Sequence, residues 1–452
     1  MSLSRNLIAA AAILVAVPMV VSSAQAELFR PQTFTLANGL EVIVVERAGA
    51  AAVQQLLVYK VGSADEAAQQ SGIAHYLEHL MFKGTPNTPP GVFDRAVARQ
   101  GGRQNAYTSY DQTGYHQTVP TEQLPEMMRL EADRMAGLVL SDANSKPELD
   151  VVLQERRQRT DTPPSGRIGE QAQAVLFQHS EYGTPIIGWE HEIRALDWHI
   201  AQDFHKTWYA PNNAVLIIDG GVSAADVKRW AEETYAKVPS RPVPERMRKE
   251  EPPKAAEVRL EQEHPAVRDP SFSRRWLARG LGQRITNNQP TTESYALQVL
   301  GEVLGGGANS RLHKALVLEQ NLASGVAASY DPNRLGWSSF VVWGSPASGV
   351  ARDKFEAALA KELERLIADG VTEAEVDAAT ARIEASTAYS LDGIGAAGRI
   401  FASTISVGIP VSEVEAWPDR IRAVSAADVT AAARAILGQP AVTTWLKPKE
   451  LS

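Results

Sequence analysis

Apolar and polar positions in the first half of the chain follow two periods, one of two residues and one of three to four. The shorter period predicts strands at 40–46, 53–61 and 214–219, and an Asn-Gly pair at 38–39 favours a tight turn before the first of them. The longer period predicts helices at 72–83, 91–100, 121–140, 147–160 and 224–238. A hairpin is expected at 103–119. Pro147 is expected to open its helix, where a missing N–H costs nothing.

The second half repeats this order more loosely. It predicts a strand at 257–263, a helix at 294–304, a hairpin at 323–343, a helical pair at 351–390 and a final helix and strand at 426–446. Between the halves, several prolines and mixed charges without apolar periodicity are typical of a linker. We therefore predict an α+β fold with two homologous domains at 27–239 and 257–452, each an antiparallel sheet flanked by helices, joined by a linker at 240–256.

The first 26 residues differ in composition from the rest. Arg5 precedes an apolar run at 7–21, and Ala24-Gln25-Ala26 supplies a small-residue end, so we predict a signal peptide at 1–26 that is cut after Ala26. An uncleaved anchor remains the alternative, although the run is short for a bilayer span and contains Pro18. No later stretch is apolar enough to cross a membrane. The mature protein is expected in the periplasm or outside the cell.

Composition narrows the possible chemistry. The 452 residues carry a net charge of -8, which gives no electrostatic basis for binding nucleic acid. The chain has no cysteine, so disulfides, thiolate metal sites and cysteine nucleophiles are excluded, and any metal must be held by nitrogen and oxygen.

The candidate chemistry concentrates on the helix predicted at 72–83. His75, Glu78 and His79 lie three and four residues apart, so they share one helix face. Two imidazoles one turn apart can bind a single zinc ion, with the carboxylate beside the water that the metal holds. The order His-x-x-Glu-His is that of inverted zinc peptidase motifs. The alternative is a pair of hydrogen-bonded histidines on a half-buried helix.

A catalytic zinc site needs a third protein ligand that this helix cannot supply. Glu155 is the candidate because its helix also carries an apolar stripe, and Glu148, seven residues earlier, lies on the same face. Without further evidence, two glutamates on a helix more often lie on its solvent-exposed face than bind a metal.

The motif and its spacing resemble the pitrilysin/insulinase family of inverted-motif zinc peptidases. The likeness is to its shorter members, which include the β subunit of mitochondrial processing peptidase and many bacterial heterodimeric relatives. The 75 residues between His79 and Glu155 match that family, as do the segments 101–115, 182–189 and 208–215, and the resemblance covers nearly all of 30–445. It implies that the two domains form half of a clamshell, that the substrate is a short or unfolded peptide, and that dimerisation completes the chamber.

The resemblance also assigns roles to residues. It implies one Zn²⁺ per chain and Glu78 as the general base. Glu148 would orient and tune the ligands. The residues implied to bind the zinc are His75, His79 and Glu155. Asn105 and Ala106 would lie on an edge strand to which the substrate adds as a further strand. From the residues alone, Asn105 reads as a turn residue before the hairpin.

One departure from the family pattern concerns the second half. Active members present an Arg and a Tyr, seven residues apart, to hold the substrate backbone. Val317 and Ser324 occupy those positions here, and neither supplies the charge or the phenol. We therefore expect a zinc-bearing subunit of a heterodimer, whose homologous partner supplies the Arg/Tyr pair. The alternative function is a non-catalytic assembly or peptide-binding subunit of the same fold.

Overall fold

The computed structural model describes residues 28–449 as two sheets with helices packed on their faces. The predicted signal peptide lies outside the described residues. Within the described range, no helix combines the length and the apolar character that a membrane crossing requires.

The first sheet has six strands in the order β1-β2-β6-β3-β5-β4. The strands are β1 (Gln32–Thr35), β2 (Glu41–Glu46), β3 (Ala52–Tyr59), β4 (Arg103–Thr108), β5 (Thr113–Pro120) and β6 (Ala214–Gly220). Neighbouring strands are antiparallel except β2 and β6. The strand β4, which carries Asn105 and Ala106, therefore lies at one edge of this sheet.

The second sheet repeats this arrangement, and within residues 28–449 it has no counterpart of β1. Its order is β7-β11-β8-β10-β9, with β7 and β11 as the parallel pair. The strands are β7 (Val258–His264), β8 (Ser271–Arg279), β9 (Ala323–Tyr330), β10 (Trp337–Pro346) and β11 (Val442–Pro448). In chain order, the strands β7 to β11 take the places that β2 to β6 have in the first sheet. The predicted duplication of an α+β unit is confirmed, and each sheet is mostly antiparallel with one parallel pair.

Among the described residues, eight α-helices belong to the first half. They are α1 (Ile73–Leu80), α2 (Val92–Arg99), α3 (Leu124–Gly137), α4 (Asp142–Arg156), α5 (Pro164–Leu176), α6 (Glu190–Ile193), α7 (Trp198–Trp208) and α8 (Ala224–Glu233). The prediction that Pro147 opens α4 was wrong. The helix begins at Asp142, because the Asn144 side chain accepts a hydrogen bond from the Ser141 N–H and caps the first turn; Pro147 lies inside the helix.

Eight more α-helices follow in the part of the second half that the structure describes. They are α9 (Leu281–Thr286), α10 (Thr292–Gly305), α11 (Arg352–Asp369), α12 (Glu373–Leu391), α13 (Ala396–Ile405), α14 (Val411–Glu415), α15 (Trp417–Arg422) and α16 (Ala426–Leu437). Most predicted elements match these bounds within a few residues.

The two halves exchange helices. From the second half, α13 packs on β3 and β6 of the first sheet, where Phe401 joins a core that includes Leu56 and Ile217. From the first half, α5 packs on β7, β8 and β11, and Leu176 lies in one cluster with Leu277. Each sheet thus buries one apolar face under a helix from the other half. The domain boundaries drawn from the sequence stay predictions.

The predicted linker is fixed to both halves. Residues 239–257 contain no helix or strand, but the side chain of Arg248 is buried and donates to Asp65 at 2.7 Å and to Asp111 at 2.8 Å. Arg246 donates to the Asp111 carbonyl at 2.7 Å and to the carbonyl of Ser406, in the second half, at 2.6 Å. Burial alone would raise the pKa of Asp111, but the arginine charges outweigh burial and hold this pKa below its ordinary value. Asp111 lies in the turn after β4, so the linker is tied to the strand that borders the candidate site.

Candidate metal centre and peptide cleft

The start of α1 is fixed by a close approach and by hydrogen bonds. Gly72 has a φ of 90°, and a Cβ there would lie 2.5 Å from the Ile187 carbonyl oxygen, so glycine is required. The carboxylate of Glu66 accepts from the N–H groups of Gly72 and Ala74 at 3.0 and 2.9 Å. The helix therefore presents its polar side chains from a constrained backbone.

Helices α1 and α4 bring three candidate ligands together. The Oε2 atom of Glu155 lies 3.6 Å from His75 Nε2 and 3.3 Å from His79 Nε2. Among residues 28–449, these three side chains form the one group of His, Asp or Glu spaced to hold a single ion. The separations exceed the range of an N–H···O hydrogen bond, about 2.7–3.2 Å. They match the spacing of about 3.4 Å between ligands of tetrahedral zinc. Two imidazoles and one carboxylate are also a donor set that zinc prefers, so the residues fit this ion.

The neutral imidazole of His75 and the hydrogen bond made by His79 both suit metal binding. Burial lowers the pKa of His75 to about 3, with further contributions from the nearby His79 and Arg159, so its imidazole is neutral at pH 7. His79 Nδ1 lies 2.9 Å from Glu148 Oε1. Since an ionised carboxylate only accepts, His79 donates from Nδ1, and in the neutral imidazole this places the lone pair on Nε2, the atom on the side of Glu155.

The carboxylate of Glu148, which accepts from His79, is also bound by a cation. Its Oε2 atom pairs with Lys83, one turn beyond His79 on the same helical path. Burial would raise the pKa of Glu148, but the hydrogen bonds from Lys83 and His79 outweigh it and lower the pKa. The carboxylate is therefore ionised when it orients His79.

Glu78 lies in the same cleft and is bound by the end of β4. Its Oε2 atom accepts a hydrogen bond of 2.6 Å from the Thr108 hydroxyl. Burial raises the pKa of Glu78, and the Thr108 hydrogen bond and the nearby His79 oppose this rise. A carboxylate with a raised pKa is suited to receive a proton during a reaction.

The cleft around these side chains has a volume of about 1030 Å³. Asn105 and Ala106 line it and belong to β4, so Asn105 is a strand residue and not a turn residue before the hairpin. An edge strand beside a cleft can pair with an extended chain. Sequence reasoning missed Thr108, Lys83 and Arg159, which contact the predicted site residues. Lys83 and Arg159 could have been found, because each lies four residues after a predicted ligand.

The second half places an ion pair where the first half has its candidate metal ligands. In each half two helices follow the hairpin, so α12 corresponds to α4, and Arg382 of α12 donates to Glu302 of α10 at 2.6 Å. Val317 packs against the core, and the exposed Ser324 donates to the Ser345 carbonyl at 3.3 Å. Neither residue presents a cation or a phenol to the cleft.

The duplicated α+β fold and a helix with the inverted His-x-x-Glu-His motif together define a class of proteins, the inverted-motif zinc peptidases. Two family models match this chain. Residues 41–189 match "Insulinase (Peptidase family M16)", and residues 201–383 match "Peptidase M16 inactive domain". The chain belongs to peptidase family M16, the insulinase family.

Individual relatives agree with this assignment. The chain is 31% identical over 358 residues to a Helicobacter pylori protein named zinc protease PqqE, with 78% of each chain covered. The crystal structure of a protease from Helicobacter pylori superposes with a TM-score of 0.84 at 26% identity, covering 93% of this chain and all of that one. An M16-like peptidase from Alicyclobacillus acidocaldarius has a TM-score of 0.82 at 23% identity, with 93% and 99% covered, and supports the fold alone.

Proposed function

We propose that this chain is a zinc-dependent endopeptidase that hydrolyses short or unfolded peptides. The observation that carries the proposal is the convergence of His75, His79 and Glu155 from two helices, in a cleft bordered by an edge strand. These three residues would hold one zinc ion per chain. When bound, zinc would polarise the peptide carbonyl and lower the pKa of a water molecule to about 7.

The residues of this chain supply the remaining steps. Glu78 would accept the proton of the attacking water and pass it to the nitrogen of the leaving amine. Glu148 would keep His79 in the tautomer that the ligand role needs. The backbone around Asn105 and Ala106 would pair with the extended substrate and place its scissile bond beside the metal.

The substitution Glu78→Gln tests the base. We expect one zinc ion per chain to be retained, because the metal donors are untouched, while cleavage of an unstructured fluorogenic peptide falls about 10²–10⁴-fold. Glu232→Gln, on the exposed face of α8, is the matched control. Zinc content is measured by elemental analysis and cleavage by fluorescence. Full cleavage by Glu78→Gln would remove this residue from the mechanism.

The missing Arg/Tyr pair supports a dimer in which this chain carries the zinc. Val317 and Ser324 leave the substrate backbone without these contacts in the second half, so a homologous partner would supply them. The same observation favours the second candidate function, a non-catalytic assembly or peptide-binding subunit. Activity that rises on mixing with a homologous chain that holds the Arg and Tyr supports the heterodimer. Equal activity of the purified chain alone contradicts it.

The N-terminal segment is the basis for a proposal about the compartment in which the protein acts. We propose that residues 1–26 direct export and are removed, so that the peptidase works in the periplasm or outside the cell, without stable membrane insertion. N-terminal sequencing of the exported protein should begin at Glu27. A retained N-terminus together with membrane association would support the anchor instead.

A further inference from the structure

Each carboxylate that touches a site histidine is bound on its other oxygen by a cation. Glu148 uses Oε1 for His79 and Oε2 for Lys83. Glu155 directs Oε2 to the two histidines, and its Oε1 pairs with Arg159 at 2.7 Å. The second pair involves a residue that is itself a candidate metal ligand, so it can decide how that ligand binds.

The backbone that carries Arg159 is a wide turn at the end of α4. Residues Arg157–Asp161 form a π-helical turn, closed by a 2.8 Å hydrogen bond from the Thr162 N–H to the Arg157 carbonyl. Such turns inside or at the end of α-helices are frequent at functional sites.

Two contacts fix this turn in place. The buried Arg156 guanidinium binds Asp161 at 3.2 Å and Glu170 of α5 at 2.9 Å, which ties the turn to the neighbouring helix. Gly166 approaches the other side so closely that a Cβ would lie 2.7 Å from the Arg159 carbonyl oxygen. Arg159 therefore extends from a constrained backbone, although 73% of its side chain is exposed.

We propose that Arg159 is a positioning residue that keeps Glu155 a one-oxygen ligand. With Oε1 held by the guanidinium, only Oε2 is available on the side of the histidines. A carboxylate that used both oxygens would fill one more coordination position, and a catalytic zinc site needs that position open. This inference rests on the proposed zinc site.

The competing interpretation is an ordinary surface ion pair of little consequence. The two side chains of this ion pair differ in exposure. Arg159 is 73% exposed, whereas Glu155 is only 17% exposed and lies in the cleft. The two interpretations differ in what they predict for the metal, because a surface pair leaves the coordination of the ion unchanged.

Cobalt substitution tests the proposal, since the intensity of the visible absorption of Co²⁺ distinguishes four from five ligands. We expect the wild-type protein to give the intense four-coordinate spectrum and Arg159→Met the weaker five-coordinate one. Arg159→Lys keeps a cation for Oε1 and should restore the four-coordinate spectrum. Arg157→Met removes an exposed arginine of the same turn and is the matched control. Its spectrum should equal that of the wild type.

The zinc dissociation constant gives a second test of the proposal. Loss of a side chain that orients a ligand typically changes metal affinity about 10–100-fold, so the zinc dissociation constant of Arg159→Met should change by at least tenfold. Identical cobalt spectra and equal zinc constants for wild type and Arg159→Met would overturn the inference and leave the proposed zinc site standing. A wild-type chain that binds neither metal would overturn both.

Discussion

The most informative perturbation of the site is Glu148→Gln. The carboxylate has two partners, His79 Nδ1 at 2.9 Å and Lys83, and it is nearly isosteric with the amide. The amide can present its oxygen to only one of them, and its NH₂ group then faces the other donor. Either His79 loses the acceptor that fixes its tautomer, or the Lys83 ammonium faces an NH₂ group.

The magnitude follows from the role of the contact. Removing an acceptor that orients a metal-binding histidine typically costs about 10–100-fold in metal affinity, which corresponds to about 1.4–2.7 kcal/mol. Lys83→Met should cost less, because Glu148 keeps its hydrogen bond to His79. The double variant should resemble Glu148→Gln alone, since Lys83 acts through the carboxylate.

Competition with a chromophoric zinc chelator measures these affinities directly. We expect the wild type to bind zinc most tightly and Lys83→Met less tightly. Glu148→Gln and the double variant should bind it most weakly and about equally. Peptide cleavage at saturating zinc separates affinity from turnover. The reasoning is refuted by a Glu148→Gln protein with unchanged zinc affinity, or by Lys83→Met as the more damaging change.

Three further predictions concern stability. Phe401→Ala should destabilise the protein by about 3–5 kcal/mol in urea unfolding, because the buried ring packs on the first sheet from the other half; Phe401→Leu should cost clearly less. Arg248→Met should cost about 3–5 kcal/mol, since it leaves two buried carboxylates short of a cation, and a loss below 1 kcal/mol would contradict this account. Because the folded-state pKa of Asp111 is lowered, its contribution is full above its ordinary pKa and is lost as pH falls through the lower value. Asp111→Asn should therefore flatten the acid side of the stability–pH curve, which thermal unfolding across pH 2–7 would record as a change in slope.

Sequence reasoning captured the elements that have strong local signals. Apolar alternation located most strands, and the helical period placed His75, Glu78 and His79 on one face. The start of α4 was missed because proline at an N-terminal position is a strong prior, whereas the cap depends on the Asn144 side chain reaching back to the Ser141 N–H.

The rest of the site depends on contacts between distant segments. The apolar stripe of its helix made Glu155 a ligand candidate, but only the family spacing favoured this over a solvated helix face, because nothing local brings α4 to α1. The Thr108 hydroxyl reaches Glu78 only because β4 ends beside α1, and no local period reports the order of strands in a sheet. The packing of α5 and α13 on the opposite sheets was equally invisible, because amphipathicity shows that a helix face is buried without showing against what.

The exchange of α5 and α13 has a consequence for synthesis. When a ribosome has produced the first 240 residues, all strands of the first sheet have been made, but the face that includes Leu56 and Ile217 still lacks its cover. That cover arrives only with residues 396–405, near the end of translation. The amino-terminal half therefore leaves this apolar face uncovered while residues 240–395 are made, and a chaperone or delayed folding would protect it during that interval.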